Sequence, residues 1–157
     1  MALSKLENLY RQMILEHATH PHHHGSLKKA DQDIELRNPT CGDVLTLQVE
    51  LKDGKVADIA FSGSGCTISQ ASASMMTDEV VGKTPEQIGK MVVAFSEMVT
   101  GNESDDVDEL LGDAAILAGV AQFPARIKCA TLAWKAIYQA VKADDKKSTV
   151  GFLRHDE

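Results

Sequence analysis

The chain has 157 residues, the size of one domain, with a formal net charge of −7 and 43% hydrophobic residues. That balance argues against a general binder of nucleic acid or anionic membranes, and four Phe, two Tyr and one Trp offer little for a base-stacking platform. The longest apolar run, Ala114 to Ala121, falls far short of the ~20 residues a membrane span needs.

Lys5, Glu7, Arg11 and Glu16 leave no apolar signal-peptide core at the start, so a cytoplasmic location is expected. Leu6, Leu9, Tyr10, Met13, Ile14 and His17 then recur at helical spacing, which predicts an amphipathic helix from Lys5 to Thr19 with Ser4 as its cap. His20-Pro21-His22-His23-His24-Gly25 ends it, and the three consecutive histidines read as a solvated loop or a partner contact. A short strand is expected at Ile34 to Arg37. Leu45, Leu47, Val49 and Leu51 alternate with polar residues as a half-buried strand; Asp53-Gly54 is a hairpin turn, and Ala57, Ile59 and Phe61 alternate on the way back.

Helices follow. One is expected over Thr67 to Val81, and a second opens at Thr84-Pro85-Glu86-Gln87, a capping box with Pro at the first helical position, and stops at Gly101. Asp105, Asp106, Asp108 and Glu109 lack the spacing of a calcium loop and read as a solvated helix start. A short Ala-rich helix is expected over Asp113 to Ala121. The last helix starts near Pro124, with Cys129, Leu132, Ala133, Ala136, Ile137 and Ala140 on one face. Helix, small antiparallel sheet, then helices gives an α+β class. We expect a single domain over 1–143 and a polar tail over 144–157.

Three cysteines, an odd number widely spaced, fit a reducing compartment and reactive or metal-bound thiols better than a disulfide framework. Cys41 sits in a turn-rich loop ahead of the first hairpin strand, Cys66 between the second strand and a helix, and Cys129 in the first turns of the last helix. Asp43 shares the Cys41 loop and adds a carboxylate oxygen. Taken singly, Cys129 reads more readily as a small core hydrophobe, while Cys41 and Cys66 leave both readings open. There is no C-x-x-C pair, so spacing alone is a weak metal signal.

The motifs Asn38-Pro39-Thr40-Cys41-Gly42-Asp43, Gly63-Ser64-Gly65-Cys66-Thr67-Ile68-Ser69 and Phe123-Pro124-Ala125-Arg126-Ile127-Lys128-Cys129 resemble the three cysteine motifs of the IscU/NifU-like family. The resemblance runs from about Leu3 to Val141 and is greatest for the SufU branch, with its longer helical stretch between the second and third cysteines and its Lys, here Lys128, where IscU scaffolds carry a ligand His. A protonated ammonium cannot ligate. The resemblance therefore implies an IscU/NifU-like fold, a Zn²⁺ site of Cys41, Asp43, Cys66 and Cys129, and iron or an iron–sulfur cluster as the alternative occupant. Three thiolates and a carboxylate around Zn²⁺ leave excess negative charge, which favours a functional role for Arg126 beside Cys129; Lys128 leaves both readings open.

The resemblance further implies a role in iron–sulfur cluster assembly as a zinc-dependent sulfurtransferase. Cys41, on a loop with Gly42 beside it, lets go of the metal and accepts persulfide sulfur from a SufS-like, pyridoxal-phosphate-dependent cysteine desulfurase. A downstream cluster scaffold or thiol carrier then receives the sulfur. Two alternatives use the same residues: a scaffold that assembles a cluster on them, and a structural zinc domain acting as an interaction module.

Overall fold

Two adjacent residues in the left-handed region, Asp53 at φ 56° and Gly54 at φ 75°, turn the chain tightly between strands β2 (Asp43–Lys52) and β3 (Lys55–Ser64). In this computed structural model, which describes residues 2–28, 30–38, 42–102, 107–122 and 124–145, β1 (Gln32–Asn38) completes an antiparallel sheet of order β1-β2-β3. Leu45, Leu47 and Val49 on β2 face the core in the alternation expected. On β3 that alternation breaks. The register shifts between Glu50, opposite Asp58, and Leu51, opposite Val56, so Ala57 is passed over. The bulge buries Val56 and leaves Ala57 exposed, which corrects the expected inward face of Ala57.

Helix α1 (Ala2–Thr19) starts earlier than expected, so Ser4 lies within it and does not cap it. After it, the histidine loop is not merely solvated. Phe61 N–H donates to the His23 carbonyl at 3.0 Å, Gly25 N–H donates to the Phe61 carbonyl at 2.8 Å, and His24 sits edge-on to the Phe61 ring. The loop thus runs along the open edge of β3 as a short parallel bridge, covering backbone groups that an edge strand leaves unpaired.

Helices α2 (Thr67–Val80), α3 (Pro85–Val99), α4 (Val107–Leu111) and α5 (Pro124–Asp145) supply the rest of the core. The α3 start is the capping box read in the sequence: Gln87 N–H donates to Thr84 Oγ1 at 3.2 Å and Thr84 N–H donates to Gln87 Oε1 at 2.9 Å. The segment expected as a short helix over Asp113 to Ala121 is instead a 3₁₀ stretch, Gly112–Gln122. Leu111, Ala114, Leu117 and Val120 are all buried at a spacing of three, which a helix of about three residues per turn aligns on one face. Met75 and Met76 are core residues. Residues 103–106, which include Asp105 and Asp106, and 146–157, most of the expected tail, lie outside the described residues.

One connection fixes the two helices that matter most for the site. Ser72 Oγ on α2 donates to the Ala130 carbonyl on α5 at 2.5 Å, and Trp134 Nε1 donates to Ser72 Oγ at 3.2 Å. Trp134 stacks on Phe95 with centroids 4.7 Å apart, anchoring α3 against the same point. These bonds are buried, so the position of Cys129, next to Ala130, is set relative to α2.

Candidate metal centre

Three of the four expected ligands meet where the sheet joins α2 and α5. One ligand atom from each of Asp43, Cys66 and Cys129 lies within 4.8 Å of the others. Cys41 lies outside the described residues, two positions before Asp43 in the chain.

Asp43 opens β2 opposite Asn38, and Gly42 N–H donates to the Asn38 carbonyl at 2.7 Å across the connecting turn. The Asp43 side chain is buried, at 1% exposure. Its Oδ1 accepts from the Cys66 backbone N–H at 3.1 Å, while Oδ2 has no hydrogen-bond partner among the described residues. A buried carboxylate oxygen without a partner costs about 1–3 kcal/mol or more, so this atom calls for a cation.

Cys66 is the N-cap of α2, a position where the helix dipole favours negative charge, and its side chain makes no capping hydrogen bond. Gly65 precedes it for a steric reason: a Cβ there would lie 2.2 Å from Ser69 Oγ and 2.7 Å from Asp43 Oδ1. Ser69 Oγ in turn donates to the Cys66 carbonyl at 3.1 Å. The Gly-Ser-Gly approach to Cys66 therefore serves to bring the Asp43 carboxylate against the start of α2, beyond any generic need for a turn. Cys129 is fully buried in the second turn of α5.

Arg126, one turn before Cys129, reaches the cluster from the solvent side. Its guanidinium is held charged above its already high ordinary value, first by the charge of Cys66, then by hydrogen bonds to Cys129 and Cys66, and by the charge of Cys129. Lys128 is exposed on the same helix.

The donor chemistry fits a borderline divalent ion. Two cysteine sulfurs and a carboxylate are the groups Zn²⁺ prefers, and Asp43 Oδ2 supplies an oxygen that no donor among the described residues satisfies. A groove of about 760 Å³ between α3 and α5, lined among others by Lys90, Val93 and Tyr138, contains none of these residues.

A second cluster, which the sequence reading did not assemble, lies at the far end of α2: His17, His22 and Asp78 also place one ligand atom each within 4.8 Å of one another. The run of three histidines contributes His22 to it, but Asp78 stands 56 positions away in the chain.

Known proteins share this sequence and fold. Residues 9–130 match the model of the NifU-like N terminal domain. The iron–sulfur cluster assembly scaffold protein IscU of Streptococcus pyogenes serotype M1 is 54% identical over 142 residues, covering 90% of this chain and 88% of that protein. The zinc-dependent sulfurtransferase SufU of Bacillus subtilis is 45% identical over 142 residues, covering 90% and 95%. The crystal structure of a SUF-system iron–sulfur cluster assembly scaffold protein from Fervidobacterium islandicum AW-1 superposes with a TM-score of 0.78 at 32% identity, over 83% of this chain and 94% of that one. No helix among the described residues is long and apolar enough to cross a membrane. With that span of sequence and fold in common, the chain belongs to the NifU-like N-terminal domain family, alongside the iron–sulfur cluster assembly proteins of the IscU and SufU type.

Proposed function

We propose that this protein is a zinc-bound sulfur acceptor in iron–sulfur cluster assembly, with Cys41, Asp43, Cys66 and Cys129 as metal ligands and Cys41 as the acceptor. The observation that carries this reading is the Asp43 carboxylate, buried with one oxygen unpartnered among the described residues and with an oxygen within 4.8 Å of two cysteine sulfurs. When bound there, Zn²⁺ keeps cysteine sulfur deprotonated at neutral pH while masking its reactivity.

The chain's own residues divide the work. Cys66 at the start of α2 and Cys129 within α5 are held by helical backbone, and Asp43 by β2. Cys41 falls in the sequence between the end of β1 at Asn38 and the start of β2 at Asp43, with Gly42 beside it, and we assign it as the donor that lets go of the metal. Its thiolate attacks the outer sulfur of a persulfide on a cysteine desulfurase. A new S–S bond forms on Cys41, the old one breaks, and the desulfurase cysteine leaves as thiolate, so no external oxidant is consumed. Arg126 offsets negative charge on Cys66 and Cys129 during the exchange. A downstream scaffold or thiol carrier receives the sulfur by the same kind of step.

A scaffold reading, in which a cluster is the cargo built on these residues, is favoured by the name of the Streptococcus relative. Lys128 counts against it, because an ammonium supplies no lone pair for iron. The deciding experiment mixes the protein with a pyridoxal-phosphate-dependent cysteine desulfurase and cysteine, then locates persulfides on trapped peptides by mass spectrometry. Persulfide on Cys41 is expected. Sulfur on Cys66 or Cys129 but never on Cys41 rejects the assignment, and a stable coloured cluster on metal-replete protein favours the scaffold.

A further inference from the structure

We propose that His17, His22 and Asp78 form a second, separate binding site for a divalent transition-metal ion at the C-terminal end of α2. Two imidazoles and one carboxylate, each with a ligand atom within 4.8 Å of the others, form a donor set suited to zinc, cobalt, nickel or ferrous iron that leaves coordination positions open. This site does not depend on the sulfur-acceptor reading.

The residues come from three segments: His17 from the last turn of α1, His22 from the loop that edges β3, and Asp78 from α2. Ser74 organises them. Its Oγ is hydrogen-bonded to His17 Nδ1 at 2.7 Å and accepts the backbone N–H of His22 at 2.8 Å. Ser74 and Asp78 are four residues apart, hence neighbours on one face of the helix. His17 is buried at 8% exposure, so its ring orientation is fixed, and it lies 4.6 Å from the His22 ring. The side chains of His22 and Asp78 are 50% and 31% exposed, which opens a path for an ion. His22 Nδ1 is bonded to Asp78 Oδ2 at 2.5 Å, a contact that metal binding would replace. His23 Nδ1 stands 3.5 Å from Asp78 Oδ1 and 3.0 Å from Thr77 Oγ1, beside the site.

Asp78 lies twelve residues beyond Cys66, about 18 Å along α2 at about 1.5 Å per residue, so one ion cannot serve both clusters. The test is a Co²⁺ and Zn²⁺ titration of tag-free protein by equilibrium dialysis with absorption spectra. Two equivalents are expected on the wild-type protein, one producing thiolate-to-cobalt charge-transfer bands and one only weak d–d bands. His22→Gln with Asp78→Asn, both at accessible positions, should bind one equivalent and keep the thiolate bands. Ser74→Ala, which removes the orienting hydroxyl and no ligand, should weaken the second equivalent about 10–100-fold. A wild-type protein that binds no equivalent with weak d–d bands alone overturns the proposal. So does a second equivalent that survives the double substitution or is lost only with His23→Gln.

Discussion

At the N-terminal end of α2, Asp43 holds a buried oxygen with no hydrogen-bond partner among the described residues. At the C-terminal end, His17 Nδ1, His22 Nδ1 and Asp78 Oδ2 all have partners. Both ends gather three ligating side chains within the same reach, yet only the first leaves an electrostatic debt. A satisfied cluster is stable as protein and yields to an ion only where coordination beats the hydrogen bonds already made. An unsatisfied one gains from an ion the partner it lacks. Zinc should therefore fill the thiolate end first and the histidine end second.

Substitutions at the first end should have the largest effects. Cys41→Ser should abolish persulfide formation with a desulfurase and leave the circular dichroism spectrum unchanged; turnover at the wild-type rate would reduce the metal centre to a structural role. With Asp43 as the ligand proposed above, Asp43→Ala should lower zinc affinity, measured by chelator competition, by more than the ~100-fold typical of an outer partner. It should also favour more labile iron binding.

Packing effects come next. Gly65→Ala drives a Cβ into Ser69 Oγ and the Asp43 carboxylate, and should cost about 1–3 kcal/mol in denaturant unfolding together with weaker zinc binding. Ser72→Ala strands the Trp134 indole N–H and removes the donor to the Ala130 carbonyl, for about 1–3 kcal/mol. Near this chain length that is roughly 2–4 °C of Tm per kcal/mol. The smallest change is expected from Arg126→Lys. It keeps the positive charge but loses the planar fork that bonds two sulfurs, so sulfur transfer should slow severalfold with zinc content intact. Equal loss in Arg126→Lys and Arg126→Ala would assign the whole effect to hydrogen-bond geometry, and no loss in Arg126→Lys would assign it to charge.

Features governed by neighbours in sequence could be read before the fold was known. The Thr84–Gln87 box, the Asp53-Gly54 turn and the apolar face of α5 each depend on residues within one or two turns of one another. Period-two reading failed at Ala57 because a bulge is set by the partner strand. Helix reading failed over Gly112–Gln122 although the spacing of three from Leu111 to Val120 was visible. The convergence of Asp43, Cys66 and Cys129 could not come from spacing, since no two of the cysteines are close in sequence; family resemblance supplied it. The resemblance said nothing of His17, His22 and Asp78, nor of the side chains that a Cβ at Gly65 would meet. Both depend on contacts that only the folded chain creates.

The most direct measurement is zinc K-edge X-ray absorption on protein loaded with one equivalent of zinc, compared with Cys41→Ser. The expected first shell is three sulfurs near ~2.3 Å and one oxygen, falling to two sulfurs in the variant. A shell of nitrogen and oxygen alone, or a sulfur count that Cys41→Ser leaves unchanged, would contradict it.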